Sequence, residues 1–266
     1  MPDKTYRTIL EEIARTKSSI VTVFNDFCRI AACVCAAETR EDEYFQAIKS
    51  YDKEELGKFS IAYALLVQEM EQKPFIDVLG PYYIDIASHS SKQTRGEFYT
   101  PPEICELMAL MSVDTAQIIE KGIPFTVSDP CCGSGGMILA LAKQLSPIVI
   151  DGDGSYVDLL CVTCQDINPV GVDMCYVNTS LWGIPATMIL GNTLKAEVNK
   201  VWKNIHWHRV GEDQHQTLAD FSKLITEPAQ KETGQEPQKH PANPKLGKGN
   251  QFEFDLDLGT SQELAR

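Results

Sequence analysis

The stretch that decides the fold is Ser128-Asp129-Pro130-Cys131-Cys132-Gly133-Ser134-Gly135-Gly136-Met137. The apolar run at 124–128 predicts a strand, and residues 136–145 predict the helix that follows. A glycine-rich turn between a strand and a helix lets a ligand approach the backbone closely and places it at a helix N-terminus. The stretch therefore predicts an α/β domain with a small-molecule cradle at the end of its first strand.

Patterns on both sides of this turn extend the prediction. Downstream, β-rich runs at 159–165 and 186–190 flank a helical pattern at 170–182, which predicts a doubly wound, mainly parallel sheet. Upstream, apolar residues at helical spacing predict two long helices, over 5–37 and 41–73, that form a helical N-terminal cap. Thr100-Pro101-Pro102-Glu103 predicts a capping box that starts another helix, which runs to about residue 112.

Composition and charge narrow the class of protein. The chain has 266 residues and a net charge of −13, which argues against coating nucleic acid by bulk attraction. The bases concentrate at 176–211, where any nucleic-acid-binding face is expected. Nine cysteines in apolar segments predict reduced thiols in a cytoplasmic protein, and no membrane span or export signal is expected.

The spacing of the glycines distinguishes two kinds of ligand. A dinucleotide fingerprint requires Gly-x-Gly-x-x-Gly, but Ile138 stands where the last glycine would be. The order Asp-Pro-x-Cys-Gly-Ser-Gly-Gly is instead similar to the motif that contacts the methionine end of S-adenosylmethionine in amino-methyltransferases. With Gly96-Glu97-Phe98-Tyr99-Thr100-Pro101-Pro102 and Asp77-Val78-Leu79-Gly80 upstream, the chain resembles the N6-adenine DNA methyltransferase family, particularly the modification subunits of type I restriction systems.

The resemblance implies a class I S-adenosylmethionine-dependent methyltransferase fold and a division of the chain. Residues 1–90 are expected to form the helical N-terminal region and 91–225 the methyltransferase-like domain. Residues 226–266 are rich in Pro and Gly and are expected to form a flexible tail, with a short strand pattern at 252–258.

The resemblance also implies how the cofactor is held. Asp129 and the backbone N–H groups of Gly133 and Gly135 are expected to serve the ammonium and carboxylate of the methionine part, with Thr100 near that carboxylate. Asp166 is expected to accept the ribose hydroxyls, and Asn192 stands where the family often has the Asp of Gly-Asp-Thr-Leu that contacts adenine. The full expected set is Phe98, Tyr99, Thr100, Asp129, Pro130, Gly133, Ser134, Gly135, Asp166, Ile167 and Asn192. The alternative for these residues is structural: a tight turn, a helix cap and core aromatics.

The family's catalytic motif, Asn/Asp/Ser-Pro-Pro-Tyr/Phe, does not follow Gly191-Asn192-Thr193-Leu194. In its place the segment 200–209 interleaves bases with aromatics, which suits stacking on unpaired bases. Trp202 or Trp207 could stack on a flipped base, and Asn199 or Asn204 could accept its amine. The alternative is an amphipathic helix whose tryptophans fill a core.

The resulting hypothesis is transfer of a methyl group to N6 of adenine in DNA. The DNA partner would be single-stranded, weakly recognised or selected by a specificity partner. The alternatives are a non-catalytic S-adenosylmethionine-binding protein that modulates a restriction-modification partner, and a methyltransferase acting on RNA or protein. No metal is expected, because Cys161 and Cys164 lie three apart in a strand pattern, and His206 and His208 lack further ligands.

Overall fold

A computed structural model describes residues 4–17, 19–88, 99–114, 125–146, 157 and 160–207 of the protein. Its N-terminal part contains four helices: α1 (Tyr6–Ala14), α2 (Ile20–Cys35), α3 (Glu41–Ile48) and α4 (Lys53–Gln72). The helical character predicted for this region is confirmed. The prediction of two long helices is wrong, because each of them is broken once.

Local capping explains one of these breaks. Asp52 accepts a hydrogen bond from the Glu55 N–H, and Glu55 reaches back to the Asp52 N–H, so this capping box starts α4. The Asp-x-x-Glu spacing was visible in the sequence. The regular apolar periodicity on either side of residue 52 concealed the helix boundary that this spacing marks.

The N-terminal helices and the sheet share one hydrophobic core. The apolar residues that predicted the helices, among them Ile9, Phe24, Phe27 and Leu66, are buried in it. Helix α2 packs against a helix of the sheet domain, and a buried ion pair reinforces this contact: the Arg40 guanidinium lies 2.7 Å from the Asp173 carboxylate.

Two further helices lead to the sheet, α5 (Gly80–Ser88) and α6 (Pro102–Ser112). The chain then alternates β1 (Phe125–Asp129), α7 (Gly136–Leu145), β2 (Leu160–Asp166), α8 (Pro169–Leu181) and β3 (Ala186–Leu190). A 3₁₀ turn (Thr193–Lys195) then precedes β4 (Lys200–Lys203). The strand order is β1-β2-β3-β4, with β1, β2 and β3 parallel and β4 antiparallel to β3.

The α/β class, the mainly parallel sheet and the predicted β1, α7, β2, α8 and β3 are therefore confirmed to within about two residues at each boundary. The helix considered for 200–209 is wrong over 200–203, where Lys200 to Lys203 pair with Leu190 to Thr187. Because β1, β2 and β3 follow one another across the sheet, right-handed crossovers place α7 and α8 on one face.

Among the described helices, none combines the length and the apolar character that crossing a bilayer requires. The predicted tail at 226–266, with its strand pattern, lies outside the described residues. The boundaries predicted at 90 and 225 remain predictions.

Candidate cofactor-binding site

A cleft of about 410 Å³ opens at the carboxyl end of β1. Its walls come from the loop before α5, the start of α6, and the turn between β1 and α7. The polar and aromatic side chains of this wall include Phe75, Asp77, Tyr99, Thr100, Glu106, Asp129 and Ser134. In parallel α/β sheets ligands bind outside the carboxyl ends of the strands, so the cleft stands where a cofactor is expected.

Glycine is required at two positions of the turn. Gly133 has φ +51° and Gly135 has φ +88°, both in the left-handed region that side chains disfavour. A Cβ added to Gly135 would lie 2.8 Å from the Cys175 sulfur, and one on Gly133 would lie 3.1 Å from the Tyr99 ring. The backbone of the turn is thus packed between Tyr99 on the cleft side and α8 on the other.

The amides of these two glycines are not available to a ligand, contrary to the expectation from the sequence. The Gly133 N–H donates to the Asp166 carboxylate at 2.8 Å, and the Gly135 N–H donates to the Cys132 carbonyl at 2.8 Å. The N–H groups of the first turn of α7 can still bind a ligand, because such groups have no partner within the helix. Gly136 and Met137 belong to that turn and line the cleft, so a carboxylate would bind there, at the positive end of the helix.

Asp129 ends β1 and contributes the carboxylate of the cleft. Burial raises the pKa of Asp129 to about 6, and the nearby Asp166 carboxylate also raises it, while a hydrogen bond from the Cys131 N–H at 3.1 Å opposes the shift. A partly desolvated carboxylate gains strongly from a cationic ligand, since an ammonium favours its charged form.

Three residues expected to hold the adenosine part lie at the same edge of the sheet but outside the cleft. Asp166 ends β2, where its carboxylate accepts the N–H groups of Gly133 and Asn168, both at 2.8 Å. Ile167 follows it with 65% of its surface exposed. An exposed aliphatic side chain beside a strand-end carboxylate offers a flat apolar surface for a base.

Asn192 follows β3, and its side chain caps the 3₁₀ turn by accepting the Lys195 N–H at 3.2 Å. The next residue, Thr193, donates its hydroxyl to the Pro130 carbonyl at 2.6 Å. This bond ties the loop after β3 to the glycine turn. Pro130 and Asn192 therefore lie near each other at the carboxyl ends of the strands. The Asn192 side chain has a structural role there, because it caps its own loop.

The element before α6 differs from its prediction. The N-cap of α6 is Pro101, with no side-chain cap bond, so the capping box assigned to Thr100 and Glu103 is wrong. Two successive prolines impose extended backbone before the helix, which moves the cap one residue on. The exposed Thr100 lines the cleft instead, and Tyr99 packs edge-to-face on Tyr83 at 6.1 Å. Phe98 lies outside the described residues.

Asp77 also lines the cleft, although it is not among the site residues expected from the sequence. One oxygen of its carboxylate accepts the N–H groups of Leu79 and Gly80 and the Asn178 amide, each at 3.1 Å, and the other accepts the Ser134 hydroxyl. Asn178 also donates to the Ser134 carbonyl at 2.9 Å. A fully buried Asn within the apolar helix α8 was the available signal, since buried polar side chains require partners.

Two of the four candidate catalytic residues lie at the wrong end of the sheet. Asn204 is buried, and its side chain bonds the Ala186 N–H at 3.1 Å and the Ile184 carbonyl at 2.7 Å, at the beginning of β3. Trp207 adjoins it through a backbone bond to the Asn204 carbonyl. The cofactor residues lie at the other end of the strands, and the four steps from Ala186 to Leu190 alone span roughly 13 Å. Asn204 and Trp207 therefore do not face the cleft.

The other two candidates differ from each other. Trp202 is half-buried in β4, where its ring packs on the core beneath the Arg40 guanidinium, 4.4 Å from the ring centre. This is the core role considered as the alternative. Asn199 is exposed at the carboxyl end of β3, where its N–H bonds the Leu190 carbonyl at 2.8 Å. Of the four, Asn199 alone shares an edge with the cofactor residues.

All nine cysteines are free thiols, as expected for reduced side chains. Burial raises the pKa of the Cys131 thiol, and the carboxylates of Asp166 and Asp129 add to the shift, so this thiol in the turn stays protonated. In the described ranges, no three or more His, Cys, Asp or Glu side chains are grouped so as to hold a metal ion.

A mainly parallel α/β sheet, a glycine turn and acidic strand ends at one edge are typical of proteins that bind a nucleotide cofactor. The family model described as N-6 DNA methylase matches residues 76–233, more than half of the sequence. The chain therefore belongs to the N-6 DNA methylase family, whose methyl donor is S-adenosylmethionine.

Individual relatives cover the chain in part. The type I restriction enzyme MpnII methylase subunit of Mycoplasma pneumoniae is 26% identical over 174 residues, which is 64% of this chain and 28% of that relative. The chain thus spans little more than a quarter of that protein.

Two solved structures are similar to the chain. A putative class I S-adenosylmethionine-dependent methyltransferase from Listeria monocytogenes is 12% identical, covers 84% of this chain and 69% of its own, and has a TM-score of 0.41. A type I restriction-modification methyltransferase subunit from Streptococcus thermophilus is 19% identical, covers 70% and 43% respectively, and has a TM-score of 0.31.

Proposed function

We propose that the chain binds S-adenosylmethionine in the cleft at the end of β1 and transfers its methyl group to N6 of adenine in DNA. The observation that carries this proposal is the partly desolvated Asp129 beside the N-terminus of α7, in a member of the N-6 DNA methylase family. The methionine end of the cofactor carries one ammonium and one carboxylate, which match these two features.

The residues present fit the cofactor at both of its ends. Asp129 would bind the ammonium, and the first-turn amides of α7 would bind the carboxylate. Asp166 retains lone pairs beyond its two backbone bonds for the ribose hydroxyls, and Ile167 would pack on the adenine ring. No described residue that lines the cleft is basic, which suits a ligand with a sulfonium charge. When bound, S-adenosylmethionine supplies an electrophilic methyl group.

Residues other than Trp202 and Trp207 would bind the adenine that accepts the methyl group. Asn199 lies at the cofactor edge and is the candidate in this chain for accepting the adenine amine. The family match extends to residue 233, so further acceptor groups would come from 208–233 or from a second protein. An adenine must leave the base stack before it can reach such a site, which favours single-stranded or locally opened DNA.

A non-catalytic function is the second candidate. Asn204 and Trp207 lie at the opposite end of the strands, and the sequence has no Asn-Pro-Pro-Phe motif after β3. In this alternative the chain would bind S-adenosylmethionine without consuming it and would modulate a restriction-modification partner.

We also propose a partner that supplies DNA specificity, because the curated relative is named as a subunit of a type I restriction enzyme. Lys195 is exposed beside β3 and would contact a phosphate, whereas the Lys200 ammonium already pairs with the Glu43 carboxylate at 3.0 Å. The nine free thiols suit the reducing cytoplasm in which such an enzyme would meet DNA.

Methyl transfer from radiolabelled S-adenosylmethionine tests these functions. The purified chain is incubated with single-stranded DNA, double-stranded DNA, RNA and a peptide mixture, with Asp129→Asn as the inactive control. Label in N6-methyladenine of DNA that is absent with the control supports the proposed activity. Cofactor binding without transfer to any acceptor supports the non-catalytic alternative, and label in RNA or peptide alone contradicts a DNA substrate.

A further inference from the structure

A carboxylate outside the glycine turn controls the hydrogen-bonding direction of a hydroxyl inside it. Asp77, from the loop before α5, receives four hydrogen bonds: from the Leu79 N–H in its own loop, from the Gly80 N–H at the start of α5, from Asn178 on α8 and from the Ser134 hydroxyl. A Cβ on Gly80 would lie 2.4 Å from the second Asp77 oxygen and 2.5 Å from the Ser134 oxygen. The glycine at 80 is what allows this close approach of the two side chains.

The direction of the Asp77–Ser134 bond follows from its chemistry. An ionised carboxylate can only accept hydrogen bonds, and a serine hydroxyl has one proton to give. Ser134 donates that proton to Asp77. The Ser134 oxygen can therefore act only as an acceptor for any further partner. Asp77, Ser134 and Asp129 all line the cleft, so this side of it presents acceptors, with Ser134 the most deeply buried of the three.

We infer that Asp77 is a positioning residue that holds the Ser134 hydroxyl as an acceptor and so makes the cleft select ligands with an ammonium group beside Asp129. This inference rests on the proposed binding of S-adenosylmethionine. It adds the Ser134 hydroxyl, oriented by Asp77, to Asp129 as an acceptor for the amino group. Exchanging Asp77 for Asn would let the new amide donate to Ser134. The hydroxyl would then turn its proton toward the cleft, where it opposes an ammonium.

The test compares two ligands on matched variants. Calorimetry measures the affinity of S-adenosylmethionine, and of its analogue without the α-amino group, for the full chain and for Asp77→Asn. An exposed acid in the first turn of α3 provides the control variant, Asp42→Asn. Because a hydrogen bond to a charged group contributes more than a neutral one, Asp77→Asn is expected to weaken S-adenosylmethionine binding by about 10- to 100-fold. The analogue and the control are expected to change less than about twofold.

A purely structural role for Asp77 would weaken both ligands equally, and that result would overturn the inference. Ser134→Ala keeps the test informative if Asp77→Asn unfolds, because it removes the acceptor itself and should likewise weaken S-adenosylmethionine selectively. If Asp77→Asn added a further loss in the Ser134→Ala background, Asp77 would not act through Ser134. If the unmodified chain bound neither ligand, the proposed function would fail. If the unmodified chain bound S-adenosylmethionine and Asp77→Asn bound it equally well, the inference about Asp77 would fail and the proposed function would stand.

Discussion

Lowering the pH should weaken binding of S-adenosylmethionine through one carboxyl group. The pKa of Asp129 is raised to about 6, chiefly by burial. Only the ionised form pairs with the ligand's ammonium, so affinity should be nearly constant above the pKa and should fall below it. Between pH 7 and pH 5 the ligand changes charge little, since an α-amino group titrates near pH 8 and a sulfonium charge is permanent.

The size of the effect follows from the pKa. Asp129 is about nine-tenths ionised at pH 7 and about one-tenth ionised at pH 5. If the protonated form does not bind, the association constant falls about tenfold between these values, or about 1.4 kcal/mol. An aspartate with the ordinary pKa of about 3.9 would leave the affinity almost unchanged over the same interval.

The assay is calorimetric titration at a series of pH values from 7 to 5, with the same series on Asp129→Asn. The variant should bind weakly at every pH and lack the tenfold change. An unchanged affinity of the unmodified chain down to pH 5 would refute the proposed role of the Asp129 charge. A pH dependence that persisted in Asp129→Asn would assign the titrating group to another residue.

Three further predictions concern the scaffold. Arg40→Ala leaves the buried Asp173 without its 2.7 Å partner and should lower the free energy of unfolding by about 3 kcal/mol in urea titrations; a loss below about 1 kcal/mol would contradict that. Gly135→Ala should destabilise the chain and weaken cofactor binding. Gly57→Ala places a Cβ in open space within α4 and should instead stabilise the chain by about 0.5–1 kcal/mol. Equal melting temperatures for the two variants would refute the packing argument. Asn204→Ala should lower the free energy of unfolding by about 1–3 kcal/mol without changing cofactor affinity or any methyl transfer. If the variant lost methyl transfer selectively, Asn204 would be a contact to the base after all.

The sequence predicted those elements whose signals are local. The glycine turn, its flanking apolar runs and the helix at 170–182 identified the central β-α-β-α-β unit with boundaries within about two residues. Strand β4 was missed because its four residues are mostly exposed and carry no alternation of buried and exposed positions. Nothing in those residues alone specifies that they pair with β3.

The part of the site that escaped prediction depends on contacts between distant residues. Ser134 lies 57 positions from Asp77, and Asn178 lies 101 positions from it, so their hydrogen bonds leave no local spacing to read. The same holds for the Gly133 amide, which a sequence motif assigns to the ligand and the fold commits to Asp166. A motif identifies the turn, and the fold decides which of its amides remain available.

The proposed function and the proposed role of Asp77 both require that the cleft binds a sulfonium amino acid. Equilibrium dialysis of the purified chain against radiolabelled S-adenosylmethionine at neutral pH measures this directly. We expect saturable retention of one ligand per chain, and loss of most of it in Asp129→Asn. Absence of retained label at millimolar ligand, or equal retention by Asp129→Asn, would contradict the assignment of the cleft.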